Sequence, residues 1–528
     1  MLNSFIKAAT AVVLACLTSG CLVGPDYSRP EVMVPSQWNS PVKDGLEAAQ
    51  QKEAAWWKTF ADPVLTSLVE RAEEQNHDVR AAVKRIHEAM AQYGVTFGEL
   101  FPDLDAVASY RRFGTSENAT NSQVTGFQFD DRDLYTFGAE LQWELDLWGR
   151  VRRAVEASSA DLQSTVEDLR DVLVVLQAEV AGTYVDLRSL QRRVEIVKAN
   201  VELQKQTVAT VSTRFDAGLV EELDVTQAEG TLAQTEAEAE RVKRLLVVAK
   251  NRLCVLVGVQ PGELESILSE RRAIPMPAAT ITIGIPSDLL RQRPDIRRAE
   301  RDLASATARI GVREADLYPR LTLFGSFTFE SDDASTWIDP ESQAFTVGPN
   351  IRWNLLHGGR VRELICVEDA RAEEAHVRYE QTVLRAMEDV ENALASHHFQ
   401  SRRLGFLQTA EAQALRSIEL VAQLYDNGVA DYLRVLESQR ALLLAQDAKA
   451  QTQADLARNT IGLYRAMGGG WISNEVDVRE SDEARNLAAE VGVDHGVEGD
   501  TVEAREASLR RAGESTEKGA TESGDQDG

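Results

Sequence analysis

The residue with the most specific chemistry is a cysteine near the amino terminus. Cys21 follows Lys7, an apolar run over residues 8–17, and the small residues Ser19 and Gly20. One cation, an apolar run and small residues before a cleavage point are typical of a secretory signal peptide. A cysteine at that point indicates lipoprotein processing, in which Cys21 becomes the acylated first residue. Acyl chains would hold the protein on a membrane. The alternative is a plain signal peptide with an incidental cysteine.

No catalytic chemistry is indicated elsewhere. The sequence contains no Gly-x-Ser-x-Gly, no Walker-A loop and no His-Glu-x-x-His. His397 and His398 are adjacent, so their imidazoles point to different faces of a helix, and zinc would need further ligands. Cys254 and Cys366 have no neighbouring cysteine, which favours packing roles. We expect neither an enzyme nor a cofactor or metal.

The charge and the hydropathy of the sequence limit the partners that the protein can have. The 528 residues carry 57 Lys and Arg against 84 Asp and Glu, a net charge of −27. Phosphate binding needs a basic face, so this charge makes nucleic acid a poor partner, and we expect none. No run of 18 uncharged apolar residues follows Cys21. If the chain crosses a membrane, it must therefore do so with strands.

The chain contains an internal duplication, which organises everything else. Residues of segment 143–258 recur 210 positions later, and residues of segment 78–104 recur 217 positions later. The later copies include Trp353, Gly359-Arg360-Val361-Arg362, Asp426, Gly428, Leu433 and Val435, and upstream Asp295, Gly311-Val312, Pro319 and Leu321. The difference of offsets, 217 − 210 = 7, places seven extra residues of the first copy in the polar loop 114–131.

This duplication sets the expected domains. We expect a signal peptide over 1–20, a lipidated segment and equatorial collar over 21–62, and a linker over 261–285. Unit one would span 63–260 and unit two 286–470. Residues 471–528 would form a last collar segment and a disordered acidic tail, since this stretch is rich in acids and poor in large apolar residues.

Strands are predicted at matching places in both units. Apolar and polar residues alternate from Tyr135 to Asp146, and again from Phe345 to Leu355, with partner strands after Pro102 and Pro319. Period two with one apolar face is typical of a strand between two environments. Alternation alone does not separate a soluble sheet from a membrane barrel, but the lipoprotein start favours the barrel.

A very long helix follows each strand pair. In unit one, apolar residues step by three and four as in a coiled coil, and only Gly182 interrupts the stretch from Arg150 to Phe215. About 65 residues give a rod on the order of 100 Å. Gly218, and Gly428 in unit two, would form the turn into a returning helix. The returning helix and one helix from Pro63 to about Gly98 would together match the rod in length.

These lengths predict an assembly. Two units supply four strands, a closed membrane barrel has at least eight, and an open strand edge cannot face lipid. A monomer is therefore excluded if the strands span a membrane. Two chains or three would satisfy the count.

The chain resembles TolC-like outer-membrane efflux channels, in the lipoprotein, NodT-type branch that serves RND-type pumps. The resemblance covers residues 21 to about 471. It rests on the motifs Cys21-Leu-Val-Gly-Pro-Asp-Tyr-Ser-Arg-Pro30, Trp56-Trp57-Lys-Thr-Phe60-Ala-Asp62-Pro63, Arg214-Phe-Asp-Ala-Gly218, Ile285-Pro-Ser-Asp-Leu-Leu-Arg-Gln-Arg-Pro-Asp-Ile296 and Gly468-Gly-Gly-Trp471.

The resemblance implies a mainly α fold with a β-barrel portion: a homotrimer with a 12-stranded outer-membrane barrel continuous with a 12-helix periplasmic tunnel. It implies a lipid-anchored protein of the cell outer membrane that extends into the periplasm and meets outer-membrane lipid. A periplasmic adaptor protein and an inner-membrane RND pump would be its partners. Its function would be a passive exit duct for drugs and small toxic compounds. The alternatives are the duct of a type I protein secretion system and a structural coiled-coil lipoprotein.

The helical turns would then form the periplasmic mouth. Acidic residues crowd there: Asp216, Glu221, Glu222, Asp224, Asp426, Asp431 and Glu437. The alternative reading is that these are solvated helix ends. The resemblance implies that Asp224 takes part in contacts closing the mouth. Where a family member has Arg, this chain has Ala430, so Arg434 is a candidate substitute partner.

Aromatic residues complete the predicted sites. Phe215 and Tyr425 hold matching positions beside the turns and are expected at the constriction, although they also continue the helical seam. Trp143 and Trp353 fall near the strand–helix junctions. They are expected in an interfacial aromatic belt, with simple packing as the alternative.

Overall fold

A computed structural model describes residues 22–40, 46–48, 55–114, 131–277 and 281–469. The predicted signal peptide, Cys21, most of the loop 114–131 and the acidic tail lie outside these residues. The helices are α1 Pro63–Gln75, α2 His77–Gly98, α3 Arg150–Asp216, α4 Glu222–Val257, α5 Glu265–Leu268, α6 Pro286–Gln292, α7 Pro294–Glu314, α8 Arg360–Asp426 and α9 Tyr432–Ala466. The strands are β1 Leu46–Ala48, β2 Asp103–Phe113, β3 Arg132–Leu145, β4 Ile281–Ile283, β5 Arg320–Ser331 and β6 Gln343–Arg352.

The two rods, α3 and α8, each have 67 residues, about 100 Å at 1.5 Å per residue. Both begin directly after a glycine with positive φ, Gly149 at 78° and Gly359 at 84°. Such a φ costs little only for glycine, so these residues let the segment that follows each strand turn directly into the helix. The element order helix, strand, strand, rod, returning helix occurs once in each half of the described chain.

The expected single helix from Pro63 to Gly98 is wrong, because it is divided at Asn76. Asn76 is extended, and its side-chain oxygen accepts hydrogen bonds from the amides of Asp78 and Val79 at 2.7 and 3.2 Å. Its Nδ2 donates to the carbonyl of Leu256 at the end of α4, at 2.8 Å. One side chain thus starts α2 as an N-cap and fixes the end of the returning helix.

Unit two makes the matching contact with another residue type. Arg293 is extended before Pro294, a conformation that proline favours in the residue preceding it. Its Nη1 donates to the carbonyl of Ala466, near the end of α9, at 2.8 Å. Arg293 lies 217 positions after Asn76, and Ala466 lies 210 after Leu256. The contact therefore obeys both sequence offsets.

The main sheet is antiparallel, with strand order β2-β3-β5-β6. In register, Leu104 lies opposite Leu141, and Trp143 lies opposite Leu323. Within the part of the chain that the structure describes, the outer strands β2 and β6 each pair on one side only. The expectation that the last strand reaches Leu355 is wrong at its end, because β6 stops at Arg352 and leaves Trp353 beyond the ladder.

The principal core lies where the helices of both units meet the linking segments. Trp56 is almost fully buried, and its ring stacks on Tyr464 of α9 with centroids 5.2 Å apart. The short strands β1 and β4, one from each linking segment, pair in parallel. This core ties unit one to unit two far from the helical turns.

Candidate functional site at the helical hairpin tips

Both helical hairpins end in the same glycine turn. In the first, the amide of Gly218 donates to the carbonyl of Phe215 at 2.8 Å, and the amide of Leu219 donates to that of Arg214 at 2.9 Å. In the second, Gly428 and Val429 make the same bonds to Tyr425 and Leu424 at 3.0 and 2.9 Å. This is the Schellman motif, which needs a left-handed residue at the turn. The glycines have φ of 70° and 73°.

The two aromatic residues beside the turns have different surroundings. Tyr425 is only 6% exposed and packs with Val211, Val435 and Tyr432, whose ring centroid is 6.5 Å away. Phe215, at the matching position, is 41% exposed. Burial raises the pKa of the Tyr425 hydroxyl, and the negative charge of Asp224 adds to the increase. Tyr425 therefore belongs to a small core between the hairpins, and Phe215 lies at their surface.

Arg214 connects the two hairpins. Its guanidinium lies over the Tyr425 ring, 4.1 Å from the centroid. Its Nη1 donates to the carbonyl of Tyr425 at 2.9 Å, and its Nη2 lies 3.5 Å from the Oδ1 of Asp426. A cation at the carboxyl end of a helix also satisfies the carbonyls left free there. Arg214 thus holds the end of α8 against the end of α3.

The sequence alone does not single out Arg214 as a site residue. It lies in the motif ending at Gly218, but its counterpart 210 positions later is Leu424. A comparison of the two units therefore gives no symmetric signal. The available signal is a cation in the last helical turn, which fits the helix dipole but does not name a partner.

Most of the predicted acids lie at the surface of the tips. Asp216, Glu221, Glu222, Asp426, Asp431 and Glu437 are exposed, and Asp224 is half-buried. Asp431 caps α9 by accepting a hydrogen bond from the Arg434 amide at 3.2 Å. Among the described residues, the Arg434 guanidinium has Asp431 as its ion partner, at 3.9 Å. Asp224 lies close enough to the tyrosines for its charge to raise the pKa of Tyr432 as well, after the larger effect of burial.

Large apolar side chains accompany these acids. Leu219 and Leu223 of the first hairpin, and Val429 and Leu433 of the second, are exposed. Each tip therefore presents apolar side chains beside carboxylates, an arrangement suited to contact with another protein.

The predicted junction tryptophans make one shared contact. The Trp143 Nε1 donates to the carbonyl of Leu100 at 3.0 Å, and the Trp353 Nε1 donates to that of Leu317 at 3.0 Å. Each indole thus ties the end of the second strand of its unit to the turn that precedes the first strand. Trp143 is half-buried, whereas Trp353 is 54% exposed.

The segment that follows Cys21 is bound at the same level. The amide of Val23 donates to the carbonyl of Trp148 at 3.2 Å. Arg153, 1% exposed, donates to the carbonyls of Val23 and Gly24 and to Asp26, at 3.0, 3.0 and 2.7 Å. Residues 23–26 are therefore fixed at the junction between strands and rods.

No group of three or more His, Cys, Asp or Glu side chains in the ranges given above is placed to bind a metal ion. None of the helices placed there combines the length and apolar character that a membrane span requires.

The family match defines the class of protein: an outer-membrane efflux channel, which is a transport duct and not an enzyme. The chain belongs to the outer membrane efflux protein family, whose profile matches residues 68–259 and 285–469. It is a TolC-like protein of the outer membrane.

Individual relatives are similar to this chain over most of its length. Nodulation protein T of Rhizobium leguminosarum bv. trifolii is 30% identical over 463 residues, 88% of this chain and 97% of that protein. The solvent efflux pump outer membrane protein SrpC of Pseudomonas putida is 30% identical over 460 residues, 86% of this chain and 96% of that protein. Among solved structures, the outer-membrane channel OprN superposes with a TM-score of 0.80 at 35% identity, covering 85% of this chain and all of that one.

Proposed function

We propose that three copies of this chain form the exit duct of a tripartite efflux pump. In this proposal the twelve strands close into an outer-membrane barrel, and twelve helices continue it as a periplasmic tunnel. A periplasmic adaptor and an inner-membrane RND pump deliver drugs and small toxic compounds, which pass through the duct without further energy input.

The main support is the four-stranded sheet. One of its faces is apolar and exposed, with Phe137, Phe327, Phe345 and Ile351 all open to the surroundings. Water would disfavour such a continuous apolar surface, whereas lipid would not. Among the described strands, the edges β2 and β6 have backbone groups without a strand partner, which lipid cannot satisfy. Copies of the chain must therefore close the sheet, and the family resemblance favours three.

We further propose that the hairpin tips form a gated mouth. The Arg214–Tyr425 contact joins the tips within a chain, and the exposed acids would line a narrow aqueous opening. Docking of the adaptor on the exposed apolar residues, including Leu219 and Val429, would compete with the packing between hairpins. The mouth would open when the hairpins separate.

The amino-terminal segment supports a lipid anchor on Cys21. Val23 is bound to Trp148 at the strand–rod junction, only two residues after the cysteine. Two residues span at most about 7 Å. Acyl chains on Cys21 would therefore enter the membrane at the level where the sheet gives way to helices.

Planar-bilayer recording tests the duct. Purified protein should form pores, and the acidic mouth should make them prefer cations, read as the reversal potential in a salt gradient. Replacing Asp216 and Asp426 together by Asn should reduce that preference, whereas Asp133→Asn, remote from the tips, should not. A structural coiled-coil lipoprotein would give no conductance.

The second candidate, a type I protein secretion duct, is separated by cargo. A deletion strain complemented with this chain and an RND pump with its adaptor should regain resistance to small toxic compounds. Export of a secreted protein without such resistance would favour the secretion duct instead. The lipoprotein motifs at Cys21 favour the efflux branch.

A further inference from the structure

The two units are related by a rule that holds residue by residue. In unit one, Asp103 pairs with Gln142, and in unit two, Arg320 pairs with Arg352. Adding 217 to the first strand and 210 to the second converts the one register into the other. The same addition converts the Trp143–Leu100 hydrogen bond into Trp353–Leu317. Hydrogen-bonding geometry, and not only residue type, therefore repeats along the chain.

The structure also shows how unit one binds unit two. Strand β3 pairs with β5, so that Leu141 lies opposite Gly325 and Trp143 opposite Leu323. Beside the sheet, rod α3 packs on α7, and the Nη1 of Arg301 donates to the Oε1 of Gln163 at 3.2 Å. The outer edge of unit one is formed by β2 and α2, and the outer edge of unit two by β6 and α8. Among the described residues, these two edges are not packed against each other or against a further unit.

We propose that unit two of one copy binds unit one of the next copy by this same rule. The inference rests on the proposed multimeric duct and fixes its interface to the residue. Adding 210 to the number of a β3 residue gives a residue on the β6 side. Subtracting 217 from the number of its β5 partner gives the β2 residue that should lie opposite it in the neighbouring copy. Ile351 would lie opposite Ala108 of a neighbouring copy, Trp353 opposite its Ala106, and Leu355 opposite its Leu104.

The side chains fit this register. The large residues on the β6 side, Ile351 at 69% exposed and Trp353, face small alanines on the β2 side. All these residues belong to the apolar face of the sheet. A slip of one residue would place Ile351 opposite Val107 or Ser109, which point to the other face, and would break the apolar surface.

The helices supply an independent check. Applied to the Gln163–Arg301 hydrogen bond, the rule gives Glu373 of α8 and Lys84 of a neighbouring copy's α2. Both residues are exposed, and neither has an ion-pair partner among the described residues. A neutral–cationic pair within the chain thus becomes an acid–base pair between chains. Opposite charges at positions set by the sheet register support the interface.

Cysteine cross-linking tests the register. In a background with Cys254→Ser and Cys366→Ser, the pair Ile351→Cys and Ala108→Cys should oxidise to covalent dimers and trimers in membranes. Directly opposed residues have Cβ atoms about 4.5–5.5 Å apart, near the reach of a disulfide, whereas diagonal neighbours are about 7–8 Å apart. Ile351→Cys with Ala106→Cys, or with Tyr110→Cys, should therefore cross-link several-fold less.

The outcomes separate the two proposals. Preferential cross-linking of a displaced pair would overturn this register and leave the multimeric duct standing. If no pair cross-links and the native mass in detergent is that of a single chain, both proposals fail.

Charge reversal tests the helical contact. Lys84→Glu and Glu373→Lys should each lower the temperature at which the native multimer dissociates, and the double reversal should restore much of the loss. Lys198→Glu, on a helix face outside this contact, serves as a charge-matched control. If the dissociation temperature of the double variant is lowered by the sum of the two single decreases, the proposed ion pair is overturned.

Discussion

Removal of the Arg214 side chain should loosen the proposed mouth at the hairpin tips. In Arg214→Ala, hairpin one loses its contact with the Tyr425 ring, its hydrogen bond to the Tyr425 carbonyl and its approach to Asp426. The two glycine turns do not depend on this side chain, because their hydrogen bonds are made by the backbone. The hairpins should therefore stay folded and separate more readily.

The size of the effect follows from these contacts. A hydrogen bond from a charged group contributes about 1.5–3 kcal/mol, and a cation–π contact at an exposed site about 0.5–1 kcal/mol. Both are made by one partly exposed side chain, so they overlap, and a total of about 1–3 kcal/mol is reasonable. That range changes the equilibrium between closed and open tips by about 5–150-fold.

Single-channel recording in planar bilayers measures this equilibrium as the open fraction. Arg214→Lys keeps the charge but loses the planar stacking group, so its open fraction should lie between those of the wild type and Arg214→Ala. Arg434→Ala is the comparison variant, because Arg434 is the other tip cation and the one that the sequence suggested for closing the mouth. It removes an exposed ion pair with Asp431 at 3.9 Å, and such pairs contribute about 0–1 kcal/mol.

Two results would refute the reasoning. Equal open fractions for Arg214→Ala and Arg434→Ala would show that Arg214 does not hold the tips together. A larger effect of Arg434→Ala would assign closure to the predicted Asp224 and Arg434 region, in contacts between chains.

Two further predictions concern stability. Burial raises the pKa of Glu73, because the folded protein favours the protonated carboxyl group. The contribution of Glu73 to folding stability is therefore fully present below the unfolded pKa and is lost as the pH rises through the native pKa. Glu73→Gln, which can keep an acceptor for the Gln177 amide now 2.7 Å away, should unfold at a higher temperature than the wild type at pH 7 and at the same temperature near pH 4; no difference at pH 7 would contradict this. Gly258→Ala should destabilise more than Gly218→Ala in thermal unfolding, because both have positive φ but only at Gly258 would a Cβ lie 2.4 Å from a backbone atom, the Gln75 carbonyl oxygen. Backbone strain, which both variants share, costs about 1–2 kcal/mol. Equal losses of stability in the two variants would mean that the end of α4 moves away from the Gln75 carbonyl and relieves the close contact.

The elements of the fold could be predicted because their signals are local. The alternation from Tyr135 to Leu145 is confirmed as strand β3, and the stretch without breakers after Gly149 is confirmed as one rod, ending at Asp216 rather than Phe215. Side-chain periodicity and the conformational freedom of glycine act within a few residues, so they can be read from the sequence.

The contacts that end or join elements could not be predicted in this way. The break at Asn76 depends on the carbonyl of Leu256, 180 residues away, and nothing near Asn76 in sequence distinguishes a cap from a helical asparagine. The different burial of Phe215 and Tyr425 has the same origin. Both continue an apolar seam, but only Tyr425 faces a neighbouring hairpin.

The sequence by itself determined the duplicated plan, the strand alternation and the two glycine turns, because each is encoded in spacing along the chain. Only the tertiary structure decided that Arg214 of one unit lies against Tyr425 of the other and that β3 pairs with β5 in a particular register. Such contacts depend on where separate helices and strands come to lie in space. Their free energy is gained only after the elements have packed together, and the chain on either side of each residue carries no record of its partner.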